Sequence, residues 1–338
     1  MVAHRRWLVT GGLGFIGSAF VRLVLRERTD VAITVLDSMT YAGNPANVAE
    51  VAQDHRYSFV RGDIADAGRV DAAIAGGVDA IVNFAAETHV DRSILDPEAF
   101  IRTDVLGTHV LLEAVRRHKI ARFLQVSTDE VYGDVEQGES VETDPLRPRS
   151  PYAASKAGGD LQVLAYATTF ETPVLITRGS NTYGPYQYPE KLVPLFVTNL
   201  LEGDTVPVYG DGLQVRDWLH VDDHARGIAH VLEHGALGEV YNLAGGNART
   251  NLAVTKELIR LTGRSYNDSV RHVTDRQGHD RRYALNASKA RALGWSPRVA
   301  FDDGLPETVA WYQERGDWWG PIKSGEFREY YRRQYALR

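Results

Sequence analysis

The sequence predicts an α/β fold: a Rossmann-like, doubly wound parallel sheet followed by a smaller C-terminal substrate-binding lobe. Three observations carry this expectation. Up to about residue 180, short apolar runs alternate with helical patterns, as in a parallel sheet covered on both faces. The first run leads into a glycine-rich turn and then a helix. Beyond residue 180 the texture changes to polar, turn-rich segments between short helices. The expected division is residues 1–180 for the dinucleotide-binding sheet and 181–338 mainly for the lobe, with the chain crossing between the two.

The elements follow in order. Arg6-Trp-Leu-Val-Thr10 is the first strand, Gly11-Gly-Leu-Gly14-Phe-Ile-Gly17 the turn, and Phe20, Val21, Val24 and Leu25 mark the helix. Glycines let backbone N–H groups approach a pyrophosphate, and a helix N-terminus favours its negative charge. The glycine spacing departs from G-x-G-x-x-G by one residue, so the triplet alone is weak, but its context strengthens it. A second strand, Ala32 to Leu36, ends in Asp37, twenty residues after Gly17. An acid there accepts hydrogen bonds from adenosine ribose hydroxyls and repels a 2′-phosphate, so NAD is expected over NADP. The bland alternative for Asp37 is a strand-end cap.

Asp63 and Ile64 follow a third run (Tyr57 to Val60) and are expected to face an adenine. A fourth run (Ala80 to Phe84) leads to Ala85 and Ala86. These small residues either let a cofactor lie close to the backbone or simply pack strand on helix. A helix is predicted from about Ala99 to Arg117, a strand over Phe123 to Val126, a second long helix from Tyr152 (Ala153, Ala157, Leu161, Leu164), and a strand over Val174 to Thr177. Both long helices are apolar enough for burial on more than one side, by packing on the sheet or by a helix bundle between two copies. Loops are expected at Asn181–Lys191, Tyr209–Gly212 and Thr274–Tyr283, with helices at Leu192–Leu201, Asp222–His234 and Leu252–Leu261. The Trp318-Trp319 and Tyr330-Tyr331 clusters are expected to dock the tail on the body.

Thr128-Asp129-Glu130, with Tyr152 and Lys156, carries the chemistry. Tyr152-Ala-Ala-Ser-Lys156 places a phenol and an ammonium on one helix face. A neighbouring ammonium favours phenolate, which makes Tyr152 a candidate base toward a sugar or alcohol hydroxyl. Simple alcohol oxidation needs no carboxylate pair. Asp129 and Glu130 point to a reaction that also moves a proton on carbon and expels a leaving group. Their bland alternative is a solvated loop or a helix cap.

Composition excludes other classes. The 338 residues carry a net charge of −6, which implies no nucleic-acid or anionic-membrane partner. There are no cysteines, so disulfides, thiolate chemistry and cysteine-ligated zinc are excluded. The histidines show no H-E-x-x-H spacing, and no metal is expected. No apolar run reaches the roughly 20 residues of a membrane span. The stretch Met1 to Trp7 has no signal-peptide core, and a cytoplasmic location is expected.

Further segments join these motifs: Leu36-Asp-Ser-Met-Thr-Tyr-Ala-Gly-Asn44, Ala85-Ala-Glu-Thr-His-Val-Asp-Arg-Ser93, Ser127 to Gly133, Pro189 to Leu195, Val215 to His224 and Asp275 to Tyr283. With these the chain resembles the extended short-chain dehydrogenase/reductase superfamily, and within it the nucleotide-sugar 4,6-dehydratases. Departures are few: Leu13 and Ala244 stand where alanine and glycine are usual, Gly179 where cysteine is usual, and Thr182 replaces an asparagine.

The resemblance implies bound NAD, a homodimer and dTDP-glucose as substrate. It implies cofactor contacts from Gly11, Gly14, Phe15, Ile16 and Gly17, from Asp37, Ser38, Thr40, Asp63 and Ile64, and from Ala85, Ala86, Thr88, Tyr152, Lys156 and Thr182. Tyr152 would take the 4-hydroxyl proton with help from Lys156, and Thr128 would donate to the 4-oxygen. Glu130 would remove the C5 proton, and Asp129 would protonate the departing 6-hydroxyl. Hydroxide is a poor leaving group, so Asp129 must be protonated by burial or a nearby carboxylate, and Glu130 ionised. For the substrate diphosphate the candidates are Arg216 and either Arg276 or His279. Thr88, Asn181, Lys191, Leu192 and Asn251 are candidates for the sugar and phosphate oxygens or their surroundings, and Pro207 and Tyr209 for the base.

Two alternatives stay open. One is another nucleotide-hexose 4,6-dehydratase or a 4-epimerase. An epimerase needs no acid/base pair at 129 and 130, and a GDP-mannose enzyme would be expected to favour NADP, against Asp37. The other is a non-catalytic dinucleotide sensor, a class that commonly lacks the tyrosine or lysine present here.

Overall fold

The computed structural model describes residues 5–335, excepting the side chains of Glu326, Tyr330 and Arg333. Residues 1–4 of the N-terminal stretch discussed above, and the Tyr330 side chain, lie outside the description. The strands are β1 (Arg5–Thr10), β2 (Val31–Asp37), β3 (Tyr57–Arg61), β4 (Ala80–Asn83), β5 (Arg122–Thr128), β6 (Val174–Gly179), β7 (Asn181–Tyr183), β8 (Val206–Tyr209), β9 (Val215–His220), β10 (Val240–Leu243), β11 (Ala248–Thr250) and β12 (Val270–Val273).

Seven of them form one sheet in the order β10-β6-β5-β4-β1-β2-β3, parallel throughout. Side chains alternate between its faces, as the period-2 geometry of a strand requires. Trp7, Val9, Ile33, Val35, Val82 and Leu124 enter one apolar core. Leu8, Leu36, Ile81, Phe123 and Ile176 enter the other. Burial on both faces explains the near-continuous apolar runs in the sequence. Order reverses at β1, whose neighbours are β2 and β4, and the crevice beyond the C-terminal strand ends at such a reversal is where α/β sheets bind ligands.

The lobe has its own core, built from helices Leu192–Glu202, Asn251–Leu261 and Phe301–Glu314 against β8 and β9. It carries two small sheets, β11-β9-β7 and β12-β8. Helix Val221–His234 and β10 return from beyond residue 180 to the large sheet, which β10 extends by pairing with β6.

The long helix expected over Ala99–Arg117 is interrupted. Pro97–Phe100 passes into a π-helical stretch, Ile101–Gly107, and then into Thr108–His118. The wide turn brings Asp104 inward, where it is 1% exposed. Its carboxylate accepts from Ser155 Oγ at 2.6 Å on the neighbouring helix, Pro151–Phe170. Gly159 permits the approach, since a Cβ there would lie 2.8 Å from the Asp104 carbonyl oxygen. The neighbouring helix starts cleanly. Ser150 Oγ accepts from the Ala153 N–H at 3.1 Å, and Pro151 takes the first helical position.

Candidate active site

A cavity of about 590 Å³ occupies the crevice, walled by residues at the C-terminal ends of β2, β5 and β6 and just beyond β1 and β4. Its size suits a small-molecule or cofactor site. Each cofactor residue expected from the sequence lines it, from Gly11 to Thr182, and so do Thr128, Asp129 and Glu130.

The glycine turn is built for close approach. Gly11 has φ +64°, and a Cβ there would stand 2.6 Å from the Ala85 nitrogen. A Cβ on Gly17 would stand 2.3 Å from the Gly11 carbonyl oxygen. Helix Phe15–Glu27 begins here, and its N-cap, Gly14, has no side chain to satisfy the first N–H groups. Those donors and the helix dipole suit a pyrophosphate. Asp37 also lines the cavity. Its carboxylate accepts from the N–H groups of Leu13 (3.0 Å) and Met39 (2.8 Å), so it also serves as the turn residue of its bland alternative. Asp63 accepts from Arg102 at 3.0 Å, and Ile64 is buried beside it.

Elsewhere on the wall, Thr182 Oγ1 lies 2.8 Å from His224 Nδ1. A Cβ on Gly179 would fall 2.3 Å from the His224 ring, so the histidine occupies the space that a side chain at 179 would need. Burial lowers the His224 pKa to about 4, so the ring is neutral. Its Nε2 is buried without a partner on the cavity wall.

Tyr152 and Lys156 both line the cavity from helix Pro151–Phe170. The lowered phenol pKa expected from Lys156 is not found. Lys156 Nζ donates to the Val126 carbonyl at 2.9 Å. Burial, reinforced by the charges of Glu130 and Asp104, pushes the Tyr152 phenol well above its ordinary value, against a hydrogen bond with Thr128. Asp129 is held in its acid form. It is 3% exposed, and burial, then the adjacent Glu130, raise its pKa to about 8. Its Oδ1 accepts from Thr128 Oγ1 at 3.0 Å, while Oδ2 is buried with no partner. Glu130 Oε2 lies 3.4 Å from the hydroxyl of buried Tyr283, which donates at 2.7 Å to Asp280.

The expected substrate residues fall into two groups. Thr88, Thr128, Asn181 and Lys191 line the cavity itself, with Lys191 Nζ donating to the Thr88 carbonyl. Pro207 and Tyr209 on β8, Arg216 on β9, Asn251 at a helix start, and Arg276 and His279 in the loop after β12 lie outside its wall. Leu192 also lies outside and packs into the core of the lobe. Charge links the second group to the first. Glu130 and Asp91 both act on Arg276, and Arg216 acts on Asp129. Arg216 donates to the carbonyls of Val215 and Asp280 and stacks 4.1 Å over Tyr283. Burial lowers His279 to about 4, which makes Arg276 the cation of that pair near neutral pH. Asn181 Oδ1, Asn251 Oδ1 and Arg276 Nε are buried without partners, as groups awaiting a ligand would be.

Several residues on the wall, and Asp104 and Arg92 behind it, escaped the sequence reading. Burial, then Asp104, raise Glu87 to about 7, and burial raises Asp104 itself to about 6. Tyr41 and Arg92 both bond to Glu190, at 3.0 and 2.8 Å, and clasp the loop after β2 and helix Val90–Leu95 to the lobe. An acid inside an apolar helical pattern was the available signal for Asp104. For Tyr41, Glu190 and His224 the signal is tertiary.

Comparison with known proteins agrees with this geometry. Residues 8–308 match the family model described as GDP-mannose 4,6 dehydratase. The chain is 54% identical to a dTDP-glucose 4,6-dehydratase of Streptomyces niveus, over 94% of this chain and 96% of that one. It is 44% identical to dTDP-glucose 4,6-dehydratase 1 of Escherichia coli, over 98% and 99% of the two chains. A dTDP-glucose 4,6-dehydratase of Streptomyces venezuelae, solved with NAD, superposes with a TM-score of 0.91 at 54% identity, covering 94% of this chain and all of that one. A UDP-glucose 4-epimerase of Thermus thermophilus, also solved with NAD, gives 0.84 at 32% identity, over 92% and 99%.

Proposed function

The chain belongs to the GDP-mannose 4,6-dehydratase family, and from that premise we infer that it is an NAD-dependent lyase converting dTDP-glucose to dTDP-4-keto-6-deoxyglucose and water. The single observation that carries the dehydration is the buried Asp129, whose acid form persists to about pH 8 beside Glu130 on a dinucleotide cavity. Oxidation or epimerisation alone has no use for it.

The residues fit NAD. The turn would clash with any side chain at Gly11 or Gly17, the helix N-terminus suits the pyrophosphate, and Asp37 disfavours a 2′-phosphate. When bound, NAD supplies a reversible store for the hydride of C4, returned at C6. The chain moves the protons. Tyr152 takes that of the 4-hydroxyl, with Thr128 oriented toward the same oxygen. The resulting ketone acidifies C5, where Glu130 is the base. Asp129 Oδ2, unpartnered in the protein, delivers the proton that lets the 6-hydroxyl leave as water. Arg276 and Arg216 are assigned to the diphosphate, and Asn181, Lys191 and Asn251 to nearby oxygens.

A homodimer is part of this reading. Ile101, Leu106, Leu161 and Phe170 are exposed apolar side chains on the two long helical segments, where an equivalent face of a second copy would cover them. A cytoplasmic location is proposed because the reagents are a nucleotide-activated sugar and a dinucleotide. Among the described residues no helix is long and apolar enough to cross a membrane.

Purified protein given NAD and dTDP-glucose is expected to form a product that absorbs in alkali as a 4-keto sugar. Glu130→Gln is expected to abolish that product while NAD is still reduced. Normal dehydration by this variant would remove Glu130 from its role.

A further inference from the structure

Proton accounting for this reaction leaves the site in the wrong state. Tyr152 begins as a base and ends each turnover carrying the proton of the 4-hydroxyl. Asp129 begins as an acid and ends each turnover as a carboxylate, its proton gone into water. Glu130 needs no resetting, since it returns to C5 the proton that it removed. A second turnover therefore requires one proton to leave the Tyr152 phenol and one to reach Asp129.

The structure places a single hydroxyl between them. Thr128 Oγ1 lies 3.0 Å from Asp129 Oδ1, and the same side chain favours the ionised form of the Tyr152 phenol beside it. Asp129 is 3% exposed, and Oδ2, its other oxygen, has no partner in the protein. The Glu130 N–H donates to Thr128 Oγ1 at 3.3 Å, which fixes the hydroxyl at the head of the short helix Asp129–Tyr132.

We propose that Thr128 is a proton relay that rearms the acid and the base in one concerted step. The phenol O–H bond of Tyr152 breaks as an O–H bond forms at Thr128 Oγ1. The threonine's original O–H bond breaks as one forms at Asp129 Oδ1. Threonine ends as it began, phenol becomes phenolate, carboxylate becomes carboxylic acid, and nothing is oxidised or reduced. The step rests on the function inferred above and adds to it a closed circuit. The proton removed from the 4-hydroxyl in one turnover departs in the water of the next.

The surroundings set its direction. Burial and the Glu130 charge hold the proton on the phenol. Positive charge brought beside the phenol draws it toward Asp129.

Thr128→Val, loaded with NAD and equilibrated before mixing, separates the relay from plain orientation. The expected result is one product per site in a first turnover slowed by the lost hydrogen bond to the 4-oxygen, then a steady state about a hundredfold slower than that turnover, the scale of one lost proton-transfer group. A pH indicator is expected to report transient uptake of up to one proton per site, as Asp129 refills from solvent before Tyr152 empties. Thr128→Ser, which keeps the hydroxyl, is expected to abolish both burst and uptake. If the first turnover and the steady state slow equally, with no proton signal, Thr128 only orients its neighbours and the relay is wrong. Should the valine variant not fold, Thr128→Ala carries the same test with less bulk. If wild-type protein forms no product from dTDP-glucose, the inferred function fails instead, an outcome distinct from either.

Discussion

Asp129 concentrates the chemistry in one carboxyl group. In the proposed reaction its acid form must persist for the 6-hydroxyl to leave, and its pKa of about 8 sets the limit. Below that pH the group is protonated and competent. Above it, each further unit removes about nine-tenths of the acid form, so the elimination rate is expected to fall about tenfold per unit. A rapid-quench pH profile checks this, and a flat profile to pH 10 would contradict it. Asp129→Asn is expected to lower product formation by about 10² to 10⁴ while sparing first-turnover NAD reduction, read by absorbance. Gly179 offers a steric counterpart. Gly179→Ala drives a methyl into the neutral His224 ring at 2.3 Å. Weaker NAD binding and lower stability are expected, measured by calorimetry and denaturant titration. That Tyr152, Glu130 and Asp129 share one cavity was legible because they occupy adjacent or helix-spaced positions. The Tyr152 phenol was misjudged because the sequence does not show Lys156 turned to the Val126 carbonyl, nor Glu130 and Asp104 facing the phenol.

Elements were legible wherever burial imposes a period. Six apolar runs became the strands β1 to β6, and Asn251–Leu261 begins and ends within a residue of its expected bounds. The helix over Ala99–Arg117 was legible only in outline, since its π-helical stretch depends on Gly158, Gly159 and Ser155 of another helix. The Pro151–Phe170 helix carries its own start signal. Ser150→Ala is expected to cost about 1 kcal/mol in equilibrium unfolding, as loss of one cap does. The end of β6 depends on an ion pair hidden from pattern reading. Arg178 and Asp160 pair at 2.9 Å, and both are nearly inaccessible. Arg178→Ala strands a buried carboxylate, and a loss of about 3–5 kcal/mol is expected in denaturant titration. A loss below 1 kcal/mol would show that the pair is dispensable.

At the scale of the molecule, the two sides of residue 180 are less separate than composition suggests, because β10 completes the large sheet and the Tyr41–Glu190 bond closes the cavity from the lobe. The exposed Leu106 and Leu161 give the dimer its test. Leu161→Glu is expected to shift the protein to monomer in light scattering after size exclusion. A wild-type monomer at micromolar concentration would refute the dimer. Docking of the tail was foreseen for Trp318, but its consequence was not. Trp318 donates to Asn47 at 2.9 Å and, with Ile322, forms part of the cavity wall. A polypeptide emerging from the ribosome therefore makes its glycine turn hundreds of residues before it makes the last piece of the same chamber. Until translation has passed Ile322, the nascent chain has the cradle but not the closed chamber, and full capture of NAD waits for synthesis to be almost complete.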